Sequence, residues 1–191
     1  MRGQWRRRSV HFPPVPAAIG PLRTLEMSGT RLRHRSCLVM KQTGPIGGAA
    51  HKANGALKPF KFLVGEWRTT GTHPMVPGKQ LSGRTSFTWH EGGAFLIVRN
   101  EVDEPDFPDG VAIIGSDEAG ERFSMIYFDE RGVSRIMAVT VGGETVTWRH
   151  DNPDFAQSVT ITKEGGRLIS KGLMSENGGK WKDDLSQVFE R

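Results

Sequence analysis

Glycine-bearing reversals recur from residue 91 to residue 179, and they limit what lies between them. Glu91-Gly92-Gly93, Asp117-Glu118-Ala119-Gly120, Asp129-Glu130-Arg131-Gly132, Gly142-Gly143, Glu164-Gly165-Gly166 and Glu176-Asn177-Gly178-Gly179 are each a tight-turn signal. Glycine and asparagine supply the left-handed backbone that two-residue hairpins require. The runs between these turns read as strands. They are rich in the β-branched and aromatic residues that suit a pleated surface.

Ten such runs can be read: 65–72, 81–89, 94–102, 111–115, 122–129, 133–141, 145–150, 157–163, 167–175 and 181–191. Period-two alternation is plain in several of them. Leu81, Thr85, Phe87 and Trp89 share one face. Phe123, Met125 and Tyr127 alternate with Ser124, Ile126 and Phe128, and Val146, Trp148 and His150 alternate with Thr145, Thr147 and Arg149. Short strands joined by tight turns predict an antiparallel meander. With ten strands, closing the sheet removes its edges. The expected fold is all-β, a ten-stranded antiparallel up-and-down barrel. Eight strands leave room for packed side chains or one small ligand, so ten should enclose more.

The barrel is expected to span 57–191. It opens with Leu57 to Val64, an apolar stretch carrying two lysines and Pro59, read as a short N-terminal lid helix or turn. Residues 1–56 differ in texture. Of the chain's 26 basic and 21 acidic residues, this leader holds ten basic and one acidic, a net charge of +9. The barrel keeps 16 and 20, a net charge of −4. The basic pI therefore belongs to the leader, and the body offers no basic face for nucleic acid. Phe12-Pro13-Pro14-Val15-Pro16 cannot be a helix interior, and Gly44-Pro45-Ile46-Gly47-Gly48 resembles a linker. The leader reads as a disordered tail, as an Arg-rich transit peptide, or as sequence upstream of a true start at Met27 or Met40.

Cys37 is the single cysteine, which excludes an internal disulfide and cysteine-type structural zinc. A reducing cytoplasm is the expected compartment. No apolar run approaches a membrane span, so no membrane partner is expected. Gly-x-Ser-x-Gly, His-Glu-x-x-His and a phosphate-binding glycine loop do not occur. The loop Glu101 to Asp109 carries five acids, yet it lacks the EF-hand spacing and holds two prolines. It reads as a rigid, solvated loop with no metal.

The segment Phe62-Leu63-Val64-Gly65-Glu66-Trp67, with Gly71 following, resembles the Gly-x-Trp entry of calycin (lipocalin-like) barrels. It is similar to the nitrobindin-like and fatty-acid-binding-protein-like families. Glu91-Gly92-Gly93-Ala94-Phe95 and Phe107-Pro108-Asp109-Gly110 resemble an uncharacterised bacterial group with this barrel. The resemblance implies a ligand cavity and a structural Trp67 that closes one barrel end. For nitrobindins it also implies haem, but two departures stand against that. Thr69 replaces the first later glycine of the nitrobindin pattern, and the last strand has no histidine to match the family's haem ligand. No cofactor is therefore expected.

The ligand-binding candidates are Trp89, Met125, Tyr127, Arg135, Met137, Trp148 and His150. The aromatic and thioether groups would line an apolar cavity with a few polar anchors. Arg135 lies on an apolar stripe, which makes it either an inward anchor for an anion or a sign that this face points out. His150 is the best inward histidine by alternation. His73, before Pro74, reads as a solvated loop histidine, and His90 points away from Trp89. Phe95-Leu96-Ile97-Val98 is apolar on both faces, which admits packing on the lid or a homodimer. The expected function is binding of a small, largely apolar molecule, with a haem protein or a small-molecule enzyme on the same barrel as the alternatives. No catalytic residues stand out.

Overall fold

The computed structural model describes residues 53–90 and 92–191. The leader assigned to 1–56 lies outside the described residues as far as Lys52. Its final residues already belong to the lid, a 3-10 helix over Gly55–Leu63. Asn54 caps that helix, its side-chain oxygen accepting from the Ala56 N–H at 3.0 Å. Pro59 sits inside the helix, where the absence of an N–H costs little in so short an element.

Ten strands follow: β1 (Gly65–Thr72), β2 (Leu81–His90), β3 (Phe95–Val102), β4 (Gly110–Ser116), β5 (Phe123–Asp129), β6 (Ser134–Gly142), β7 (Thr145–His150), β8 (Phe155–Glu164), β9 (Arg167–Glu176) and β10 (Lys182–Glu190). Each pairs antiparallel with its sequence neighbour, and β1 pairs with β10 to close the barrel. The expected ten-stranded meander is therefore the fold. The turns use the conformation read from their residues: Asn177 and Gly178 take φ values of 51° and 65°. Among the described residues no helix is long and apolar enough to cross a membrane.

The two ends of the barrel differ. At one end the lid inserts Leu57, Phe60 and Leu63, all fully buried. Phe60 meets Phe123 edge-on at 5.1 Å between ring centres. Burying each of these side chains is worth about 1.5–3 kcal/mol. Trp67 is 3% exposed and belongs to this core. Its indole N–H donates to the Leu63 carbonyl at 2.7 Å, tying β1 to the lid. On the other side of the ring the Arg191 guanidinium stacks at 4.6 Å, and the same side chain donates to the Val64 carbonyl. Gly65 enters β1 at a φ of 142°, with Arg191 3.2 Å from where a Cβ would stand. Trp67 is thus a closure residue and no part of the cavity wall.

The opposite end is open. Inward side chains of β2 to β6 alternate along each strand as the pattern predicts, with Met125 and Met137 buried side by side in register. The outward positions of the same strands leave Ile113, Ile126 and Ile136 exposed.

Candidate functional site

A cavity of about 440 Å³ occupies the barrel between the lidded end and the open mouth. Its inner part is largely apolar, walled by Phe87, Val98, Met125, Met137, Ile161 and Phe189, with the polar Ser170 and Gln187 in register beside Ile161. Polar groups gather at the mouth in two clusters on opposing walls.

The first cluster is built on β10. Asp183 pairs with Leu173 and Ser186 with Lys171, so Asp184 and Leu185 together oppose the single residue Gly172. This is a β-bulge, and it turns Asp184 inward while Asp183 stays exposed. Gly172 is required there, since a Cβ would stand 2.5 Å from the Leu185 carbonyl oxygen. Asp184 is 6% exposed. Its Oδ1 lies 2.8 Å from Nε2 of His73, and its Oδ2 accepts from the Gln157 amide at 2.7 Å. The His73 Nδ1 accepts from the Met75 N–H at 3.1 Å. An imidazole nitrogen that accepts there places the ring proton on Nε2, facing the carboxylate. Phe107 packs edge-on against the His73 ring at 5.1 Å. Lys79 pairs with Glu104, linking the loop after β1 to the loop after β3. His73, its side chain only 10% exposed, is therefore a latch for these loops, and its reading as a solvated loop histidine is corrected.

The second cluster sits on β5 and β6. Tyr127 and Arg135 are cross-strand neighbours. The Tyr127 hydroxyl donates to Asp129 at 3.1 Å, and Arg131 clamps the same carboxylate at 2.6 Å. Burial pushes the Tyr127 phenol up to about 12, helped by the negative charge of Asp129 and the hydrogen bond to it. The Arg131 hydrogen bonds hold Asp129 below its ordinary carboxylate value. Gly110 lets the Tyr127 ring lie close, since a Cβ would stand 2.7 Å from it. The Arg135 guanidinium lies over the Phe155 ring at 4.7 Å and 5.8 Å from the centre of Tyr127.

Of the seven residues proposed from sequence, Met125, Tyr127, Arg135, Met137 and Trp148 line this cavity together. Trp89 and His150 are not among its lining residues. Trp89 lies two positions beyond Phe87 toward the lid and packs on the core there. His150 ends β7, and its Nδ1–H donates to the Ile136 carbonyl at 3.0 Å, which draws the ring to the strand end. His73, Phe107, Phe155, Gln157 and Asp184 were missed. His73 and Phe107 come from loops and Asp184 from a bulge, which alternation does not register, whereas Phe155 and Gln157 face inward on β8 in step with Val159 and Ile161.

Haem, raised by the nitrobindin-like resemblance, does not fit these groups. A haem needs an axial ligand, most often a neutral imidazole. Among the described residues His73 is the one histidine lining the cavity, and both of its nitrogens are committed. The Tyr127 hydroxyl is committed to Asp129. In the acidic loop, Asp109 accepts from the Val102 N–H and Asp103 from the Ser82 hydroxyl. Among the described residues no group of three or more His, Cys, Asp or Glu converges to hold a metal.

No family model matches the chain, and no curated protein matches it in sequence. Among solved structures, the barrel is similar to the crystal structure of Rv2717c from M. tuberculosis. The TM-score is 0.56 at 16% identity, over 73% of this chain and 99% of that one. At that identity the likeness is one of fold.

Proposed function

We propose that this protein binds one small, largely apolar molecule inside the barrel. The observation that carries this reading is the cavity itself: about 440 Å³, largely apolar in its depth and more polar at its mouth. A concave apolar site with a few oriented polar groups is the usual form of a small-molecule pocket. The resemblance of Gly65-Glu66-Trp67 to the entry of calycin barrels supports the same reading. Carriage is favoured over catalysis because the nearest approach to an acid–base dyad, His73 with Asp184, has both ring nitrogens occupied by protein partners.

N-phenyl-1-naphthylamine, a neutral apolar fluorophore, tests the reading directly. The expected result is a saturable one-to-one rise in emission, abolished when Met137→Trp fills the floor of the cavity. Emission that does not saturate, or that is unchanged in Met137→Trp, would sink the proposal.

A further inference from the structure

Most of the charged groups at the mouth have a polar or charged partner within the protein. Asp129 is neutralised by Arg131, Asp184 is held by His73 and Gln157, and Glu176 pairs with Lys182 at 2.6 Å. With Asp106, Arg135 is an exception. It is half-buried and lines the cavity, and among the described residues it has no carboxylate partner. Its contacts are two aromatic rings, Phe155 and Tyr127. The Tyr127 hydroxyl donates to Asp129 and is turned away from the cavity's needs. Asp106, on the lip, is exposed and solvated.

Stacked between rings, a guanidinium keeps its planar edge of N–H donors free, and that edge matches an oxyanion in two-point geometry. Sequestered from bulk water, such a pair is stronger than it would be at the surface. The deeper wall beyond Arg135 is mostly thioether and hydrocarbon, with Ser170 and Gln187 in register beside Ile161. We infer that the molecule bound in this barrel carries a single anionic group, a carboxylate or similar oxyanion, held by Arg135 at the mouth with the apolar body lodged against Met125 and Met137. The inference rests on the ligand-binding reading above and names the ligand's class.

Two fluorophores that differ by one sulfonate separate the possibilities: N-phenyl-1-naphthylamine and 8-anilinonaphthalene-1-sulfonate. The anionic probe should bind the native protein about tenfold more tightly than the neutral one. In Arg135→Met that preference should vanish while the neutral probe binds as before, which also reports an intact cavity. If Arg135→Met does not fold, Arg135→Gln is read in the same way. Equal affinities in the native protein would overturn the inference and leave Arg135 as a cover for Phe155. A preference that survives loss of Arg135 would also overturn it, by placing the anchor elsewhere. Failure of both probes to bind would remove the ligand-binding reading itself, and this inference with it.

Discussion

Tyr127 is the chain's only tyrosine, so its ionisation can be read by absorbance at 295 nm without interference from another phenol. The perturbation is pH. Burial is the largest cause of the upward shift, followed by the charge of Asp129 and the hydrogen bond to it, which together bring the phenol to about 12. A free phenol near 10 is roughly nine-tenths ionised at pH 11, whereas one at 12 is roughly one-tenth ionised. The folded protein should therefore show little tyrosinate at pH 11, and adding urea at that pH should release most of the signal. The sign for stability follows by linkage. A group whose folded pKa is raised contributes stability that is fully present below pH 10 and lost as pH climbs from 10 toward 12. In Asp129→Asn the charge and the charged acceptor are gone and burial remains, so the folded midpoint should fall between 10 and 12. Tryptophan emission followed in the same samples reports whether the barrel is still folded. A folded protein that ionises at pH 10 like a free phenol would refute the placement of Tyr127 in the wall and its bond to Asp129.

Trp67→Ala should cost about 3–5 kcal/mol in urea titration, the range for emptying a large aromatic core site. A loss under about 1 kcal/mol would mean that the indole does not join β1 to the lid. Gly110→Ala should destabilise by about 1–3 kcal/mol by overpacking against the Tyr127 ring, and it should move the 295 nm midpoint toward 10. An unchanged titration in that variant would show that the ring does not lie over Gly110. Titration with haemin should give no saturating one-to-one Soret shift, because the cavity presents no uncommitted imidazole; a sharp shift lost in His73→Ala would reverse that reading.

The barrel was legible because its strands obey one simple rule. On β5 the sequence Phe123-Ser124-Met125-Ile126-Tyr127-Phe128 alternates without interruption, and the structure puts Met125 in the core and leaves Ile126 and Phe128 exposed. Glycine and asparagine fixed the turns between strands. The inner wall of the cavity followed, since Met125, Met137, Tyr127 and Arg135 are cross-strand neighbours in a register that alternation and tight turns together determine. Period two also has a blind spot, because it says which face a side chain takes but not how far along the barrel it sits. Trp89 faces inward as its pattern requires, yet it lies under the lid. His150 has the right parity, but it ends its strand within reach of the Ile136 carbonyl.

The Asp184 side of the polar mouth was hidden for a different reason. Counting back from Phe189 by twos gives Gln187, Leu185 and Asp183 as the inward residues of β10. The bulge inserts one position, so Asp184 turns in and Asp183 turns out. The only sequence trace of that insertion is Gly172 on the facing strand, whose missing Cβ admits the Leu185 carbonyl. A glycine inside a strand marks either a weak point or a close approach of backbone, and its own strand does not say which. Once Asp184 is inside, a buried carboxylate must find donors or be lost to desolvation. Gln157 supplies one from β8. His73 supplies the other from the end of β1, and in doing so it fixes the loop that carries Met75 over the mouth. The bulge, the latch and the loop are thus one structural unit, whose cause lies in a single strand irregularity that alternation alone could not show.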